Sequence, residues 1–192
     1  MSNTTNLESI WAKYSSLFKR AFGDTKSVNS FLDKFGEKIV MCPASHKSDQ
    51  KYCEPGGLMR QSIDIALTMK KISESMGLDV ESSSILKVAL GHDLGKIGLE
   101  GLDYYLPQDS EWHREKLGAL YKFNDQIPRM PITHVSLFVL STFGASLTLD
   151  ENRSISTSHG PGREENKPYG FTNTQLQTLI QAARLLTVQT KG

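Results

Sequence analysis

Two residue types that commonly ligate metals stand side by side in the segment GHDLGK (91–96). His92 and Asp93 follow an apolar run, and neighbours on a helix point about 100° apart, so both can reach one ion at their shared edge. A neutral imidazole beside a carboxylate suits Mn, Fe, Ni or Zn. Lys96 follows three residues later, and its ammonium suits a phosphate oxygen. The segment predicts either a metal site for phosphate chemistry or a polar helix end.

Helices must position these groups, because apolar residues recur at steps of three and four along most of the chain. The final helix carries Leu176, Leu179, Ile180, Ala183 and Leu186 on one stripe. The sequence predicts one all-α domain with at most a small β-hairpin. The predicted helices are residues 7–22, 27–35, 58–76, 83–93, 135–143, 149–155 and 176–186.

The segments between the predicted helices have three distinct patterns. Aromatic and strand-favouring residues in 101–107 and 119–124 predict two short strands or a hairpin around EWHREKLG. Thr148 and Glu151 have the spacing of a capping box. The turn-forming segments CPASHKSDQKYCEPGG (42–57) and SHGPGREENKPYG (158–170) predict long polar loops, and long loops often carry ligand-binding residues.

Length and charge limit the classes of partner. A chain of 192 residues suits one well-cored domain, and a net charge of +1 gives no strong signal for nucleic acid or an anionic membrane. Neither a signal segment nor a membrane-spanning apolar run is visible, so we expect a cytoplasmic protein. Cys42 and Cys53 do not form a CxxC pair and are expected to be reduced thiols.

Several segments, in this order and spacing, resemble the HD superfamily of metal-dependent phosphohydrolases. They are GGLMRQSIDIALTMKKI (56–72), ALGHDLGKIG (89–98), DYYLPQDSEWHREKLGALYKFN (103–124), EENKPYG (164–170) and LIQAARLL (179–186). The likeness spans residues 42–187 and is greatest to small HD-domain proteins common in bacteriophages and bacteria. The protein would then be found in the bacterial cytoplasm, that of the host cell if a bacteriophage encodes it. The likeness implies one helical domain over residues 1–192, with variable N-terminal helices in 1–40 and a metal pocket among the central helices.

Two positions depart from the pattern that this resemblance implies. Gln61 stands where the family has a metal-binding histidine, and Arg184 stands where it has a metal-binding aspartate; an offset of one would place Ala183 there. Only His92 and Asp93 remain of the implied ligands. Because an unpaired buried carboxylate is costly, we predict that Arg184 forms an ion pair with Asp93 and that Gln61 hydrogen-bonds in the place of the imidazole.

Three functions therefore stay open. The first is a degenerate HD-domain protein that binds a nucleotide or another phosphate-bearing ligand, or regulates a protein partner, without a full metal site. The second is an active hydrolase in which His92, Asp93 and Lys96 are catalytic and His46 or His134 replaces a missing ligand. The third is a protein-interaction module with a vestigial pocket. The cofactor is none or one divalent ion (Mn, Fe, Ni, Zn or Mg). The predicted ligand-binding residues are Gln61, Lys96, His113, Arg114 and Arg184.

Overall fold

The computed structural model describes residues 2–169 and 173–188. Within them the chain is mostly helical and carries one small antiparallel hairpin, which confirms the predicted all-α class. The α-helices are α1 (Ser2–Phe22), α2 (Lys26–Met41), α3 (Gly57–Met76), α4 (Ser82–Gly91), α5 (Glu111–Leu117), α6 (Ile132–Thr142), α7 (Leu149–Ser156) and α8 (Gln175–Val188). The strands are β1 (Tyr105–Pro107) and β2 (Tyr121–Phe123), and two 3₁₀ helices cover Leu94–Ile97 and Glu164–Tyr169.

One continuous cluster of buried apolar side chains joins α1, α2, α3, α4, α6, α7 and α8. Helix α3 packs between α4 and α8, and α1 packs across α4. At the N-terminal side, the ring of Phe18 lies 5.6 Å from the rings of both Phe31 and Phe143, measured between centroids. The N-terminal helices therefore share the core that holds the GHDLGK segment in place.

Several predicted helix bounds differ from the structure, and two of these differences affect the core and the site. Helix α2 continues to Met41 instead of ending at Phe35, because Ile39 extends the apolar face by one further turn and is fully buried. Helix α4 ends at Gly91 instead of Asp93, and the chain tightens into the 3₁₀ helix 94–97. The tighter turn of the 3₁₀ helix places the ammonium of Lys96 beside the carboxylate of Asp93.

The capping box and the strand pair predicted between the helices are confirmed. Thr148 and Glu151 form the capping box that starts α7, with each side chain bonded to the backbone N–H of the other. Strands β1 and β2 pair antiparallel, with Leu106 opposite Lys122. The EWHREKLG segment between them forms α5, which ends at Gly118 in the left-handed conformation.

The predicted stripe on the last helix needs one correction. Leu176, Leu179, Ile180 and Ala183 are buried, but the side chain of Leu186 is 69% exposed. The next buried position is Thr187, because the stripe advances by four residues after Ala183 rather than by three. Among the helices within the described ranges, none has the length and apolarity needed to cross a membrane.

Candidate functional site

Asp93 is fully buried where α4 gives way to the 3₁₀ helix. Its Oδ2 accepts hydrogen bonds from Lys96 Nζ at 2.7 Å and from Gln61 Nε2 at 2.9 Å, and its Oδ1 accepts one from His159 Nε2 at 2.8 Å. Burial alone raises the pKa of this carboxyl, but Lys96 and His159 outweigh burial and hold the pKa well below its usual range. Asp93 is therefore an ionised carboxylate enclosed by N–H donors.

Lys96 supplies the positive charge that neutralises Asp93. It lies three residues further along the chain, and the 3₁₀ turn brings its ammonium onto the carboxylate. The same ammonium donates a second hydrogen bond to the carbonyl of Ala44 at 2.6 Å. Since Ala44 belongs to the loop between α2 and α3, Lys96 also attaches that loop to the site.

The predicted ion pair between Arg184 and Asp93 is wrong. Among the described residues, Lys96 is the charged ion-pair partner of Asp93 and His159 is hydrogen-bonded to it, whereas Arg184 Nη1 donates to the carbonyl of Ser158 at 3.3 Å. The reason is geometric. Lys96 is brought to the carboxylate by its own turn of helix, while Arg184 extends from α8 to the loop that follows α7. The hydrogen bond predicted for Gln61 is present.

The guanidinium of Arg184 has a hydrogen-bond donor that no partner accepts from among the described residues. Its Nε is buried and has no hydrogen-bond partner in the described part of the chain. Burial lowers the pKa of Arg184, the carboxylate of Asp93 opposes this effect, and the nearby charge of Arg163 adds to it. The guanidinium groups of Arg184 and Arg163 therefore repel each other, and among the described residues no carboxylate forms an ion pair with Arg184.

His92 has one satisfied and one unsatisfied ring nitrogen. Its Nδ1 lies 2.9 Å from the carbonyl of Ala89, and because a carbonyl only accepts, Nδ1 carries the proton. Burial lowers the pKa of His92 to about 3, so the ring is neutral near pH 7. Its Nε2 is thus an unprotonated acceptor, buried without a hydrogen-bond partner and 3.5 Å from Asp93 Oδ2.

We expect the free energy of unfolding to decrease as the pH falls from about 7 to about 4. The pKa of His92 is about 3 in the folded chain, while an unfolded histidine titrates near 6.5, so in this window only the unfolded chain binds that proton. One such proton lowers stability by about 1.4 kcal/mol per pH unit, or about 2 to 3 kcal/mol between pH 6.5 and 4.5. Urea denaturation across this range measures the slope.

The variant His92→Gln should flatten this slope by about one proton. The control is His134→Gln, because His134 is exposed in the first turn of α6, and it should keep the wild-type slope. Below about pH 4, Asp93 adds to the loss of stability, since its depressed pKa stabilises the fold only while it is ionised. Equal slopes in His92→Gln and wild type would exclude His92 as the cause.

A cavity of about 650 Å³ lies beside this cluster and is large enough for a small-molecule ligand. Two acidic residues, Asp49 and Glu165, also line it. Its basic and imidazole side chains come from the loop after α2, the 3₁₀ turn after α4, the loop after α7, and α8. They are His46, Lys51, Lys96, His159, Arg163 and Arg184. Basic groups therefore outnumber acidic ones in the wall.

The hairpin gives the same cavity an aromatic side. Tyr104, Tyr105 and Phe123 line it, and 54% of the Phe123 side chain is exposed. The ring of Phe123 lies 5.2 Å from the imidazole of His46 and 5.6 Å from Tyr104, between centroids. The site thus combines positive charge with exposed aromatic surface.

The structure does not bring His113 and Arg114 to this cavity. Both are exposed on α5, where His113 Nδ1 lies 2.7 Å from Ser110 Oγ and Arg114 Nη1 donates to the carbonyl of Gln108 at 2.6 Å. The hydrogen bonds of both side chains are with residues just before α5, and neither side chain lines the cavity. Ligand binding by His113 and Arg114 therefore stays a prediction, and it would need a site other than this cavity.

His159 is the site residue that sequence reasoning did not select. It lies 66 residues from Asp93 along the chain and contacts it only because the loop after α7 returns to α4. The one available signal was its position in a long polar loop beside Gly160, where ligand-contacting residues are common.

The donor set around Asp93 does not fit a divalent metal. Lys96 presents an ammonium to Asp93 Oδ2, and Gln61 and His159 present N–H groups to the same carboxylate. Within the described ranges, no three histidine, cysteine, aspartate or glutamate side chains are grouped so as to hold a metal ion. The predicted metal ligands His92 and Asp93 therefore stay an incomplete pair, and neither His46 nor His134 completes it.

Comparisons with protein-family models, curated proteins and solved structures found no match for this chain. The resemblance to HD phosphohydrolases therefore stays a prediction from sequence segments.

Proposed function

We propose that this protein is a degenerate HD-domain protein that binds a phosphate-bearing small molecule in the cavity beside Asp93, without a full metal site. The observation that carries the proposal is Arg184, a largely enclosed guanidinium with a buried, unpartnered Nε and no carboxylate in ion-pair contact among the residues described. An unpaired buried charge is costly. Phosphate is a preferred bidentate partner of a guanidinium, and binding it would remove that cost.

The surroundings of Arg184 favour an anion of more than one charge. Arg163 and Lys51 line the same cavity, and Lys96 retains one donor after its bonds to Asp93 and Ala44. The exposed aromatic surface of the hairpin provides a stacking surface for a nucleotide base. A cytoplasmic setting is part of this proposal, because nucleotides and other phosphate esters are ligands of that compartment.

Phosphoester hydrolysis is the second candidate, and one observation favours it. The unprotonated Nε2 of His92 is oriented by its Nδ1 bond to Ala89, as in a metal-ligating histidine. Binding ranks first because the ammonium of Lys96 already neutralises the neighbouring carboxylate. No third metal ligand is available among the described side chains.

The test is a calorimetric titration with inorganic pyrophosphate and with adenosine diphosphate at low ionic strength. We expect Arg184→Gln to weaken binding by about 10- to 100-fold, which corresponds to the loss of a charge-assisted hydrogen bond. The matched control is Arg114→Gln, which removes the same charge from an exposed position outside the cavity and should bind like wild type. If neither probe binds wild type, or if both variants weaken binding equally, the proposal fails and an interaction module becomes the better reading.

A further inference from the structure

Two hydrogen-bond acceptors, His92 Nε2 and Asp93 Oδ2, lie close together in the interior. Two buried acceptors rarely face each other unless a cation lies nearby. The buried Nε2 of His92 offers a lone pair 3.5 Å from this oxygen, and no described N–H or O–H donates to it. Buried acceptors without a partner are uncommon in folded proteins. The ammonium of Lys96 lies 2.7 Å from this same oxygen.

We infer that Lys96 is the built-in cation of this site, that it excludes divalent metals in the wild-type protein, and that its removal opens a metal site on His92 and Asp93. The inference concerns only these residues and does not depend on anion binding at Arg184. It explains why a carboxylate with an adjacent, correctly oriented imidazole is not a metal centre as the chain stands.

Charge is the first reason for the exclusion. Asp93 and Lys96 together are neutral, so a divalent ion brought to the carboxylate meets an ammonium only a few ångströms away. The side chain of Lys96 is only 11% exposed, and the Ala44 carbonyl holds its ammonium at 2.6 Å. The lysine therefore cannot move aside without breaking its hydrogen bonds to both Asp93 and Ala44.

Removing Lys96 would also free atoms that can bind a metal ion. Without Lys96, the donor of Gln61 is the one that Asp93 Oδ2 keeps among the described residues, and the carbonyl oxygen of Ala44 loses its hydrogen bond from the ammonium. The imidazole of His92, the carboxylate and this carbonyl then offer one nitrogen and two oxygen donors. His159, bonded to the other carboxylate oxygen, is a further nitrogen close to the same site. Mixed nitrogen and oxygen donors suit Co²⁺ and Zn²⁺.

The experiment titrates Co²⁺ into wild type, Lys96→Ala and Lys96→Gln, with binding followed by calorimetry and by visible absorption. We expect one equivalent to bind both variants at least about 100-fold more tightly than wild type, because the repulsion between a divalent ion and a neighbouring ammonium is removed. Co²⁺ should also raise the melting temperature of the variants and not that of wild type. This second readout applies even to a variant that is only marginally folded.

Two controls identify the site. Adding His92→Gln to Lys96→Ala should abolish the gain in Co²⁺ affinity. The second control is Lys38→Ala. Lys38 is also partly buried, and its ammonium bonds the carbonyl of Leu99 at 2.9 Å and the carboxylate of Asp103 at 2.8 Å. Because no described imidazole is paired with that carboxylate, Lys38→Ala should not gain Co²⁺ affinity. Wild type that binds Co²⁺ as tightly as the variants, or folded variants that bind no better than wild type, would overturn the inference. The pyrophosphate titration is read separately and is unaffected by either outcome.

Discussion

Replacing Lys96 with methionine is expected to lower the free energy of unfolding by about 3 to 5 kcal/mol, the range for breaking a buried ion pair from one side. Asp93 is fully buried, and of the donors in the described part of the chain its carboxylate would keep those of Gln61 and His159. The carbonyl of Ala44 would also lose its hydrogen bond. Urea denaturation at pH 7 measures the change from the transition midpoint at constant slope.

A double-mutant cycle separates the charge from the packing. Asp93→Asn removes the negative charge, so Lys96→Met should cost much less in that background than in wild type. Lys122→Met is the matched control, because Lys122 pairs with the exposed Asp109 at the protein surface, where ion pairs contribute little to stability. If Lys96→Met costs no more than this control, Lys96 does not neutralise a buried charge.

Replacing Gly95 with alanine is the second substitution for which we expect a large effect, a loss of about 3 kcal/mol. An added Cβ would lie 2.7 Å from the backbone nitrogen of Ser136 and 2.9 Å from the carbonyl oxygen of Ile132, which are helix backbone atoms that cannot move aside locally. The substitution also disturbs the bond from the Gly95 N–H to Ser136 Oγ. Since this glycine seats the 3₁₀ helix on α6, the shift would displace Lys96 as well.

Gly162→Ala provides the comparison for this prediction. A Cβ at Gly162 would meet no heavy atom within 4 Å, so the substitution should change stability by less than about 0.5 kcal/mol. Thermal or urea unfolding of the two variants beside wild type measures the difference. A Gly95→Ala protein as stable as Gly162→Ala would show that the contact between the 3₁₀ helix and α6 is loose.

The all-α class could be predicted because helices depend on patterns repeated every three to four residues, which are visible in any one segment. The capping box at Thr148 and the strand segments on each side of α5 are equally local. The sequence does not predict the extension of α2 beyond Phe35, because the apolar residues that follow form one short run, residues 39–41, whose helical face is not evident until the burial of Ile39 is known.

The site was predicted only in part. His92, Asp93, Gln61 and Lys96 were selected from sequence segments, and the structure places all four in one cluster. Arg114 was selected too, but it lies on α5 outside the cavity. A residue type can indicate chemistry, but no local pattern reports which way a short inserted helix faces.

The sequence by itself determined the helical class and the adjacent histidine and aspartate of the GHDLGK segment. Only the tertiary structure decided which cation meets Asp93: the turn after α4 brings Lys96 to 2.7 Å, while Arg184 on α8 bonds to Ser158 instead. The tertiary structure also brought in His159, from 66 residues away. The physical reason is that ion pairs and hydrogen bonds depend on ångström-scale positions, and these are set by how distant segments pack together and not by any one of them alone.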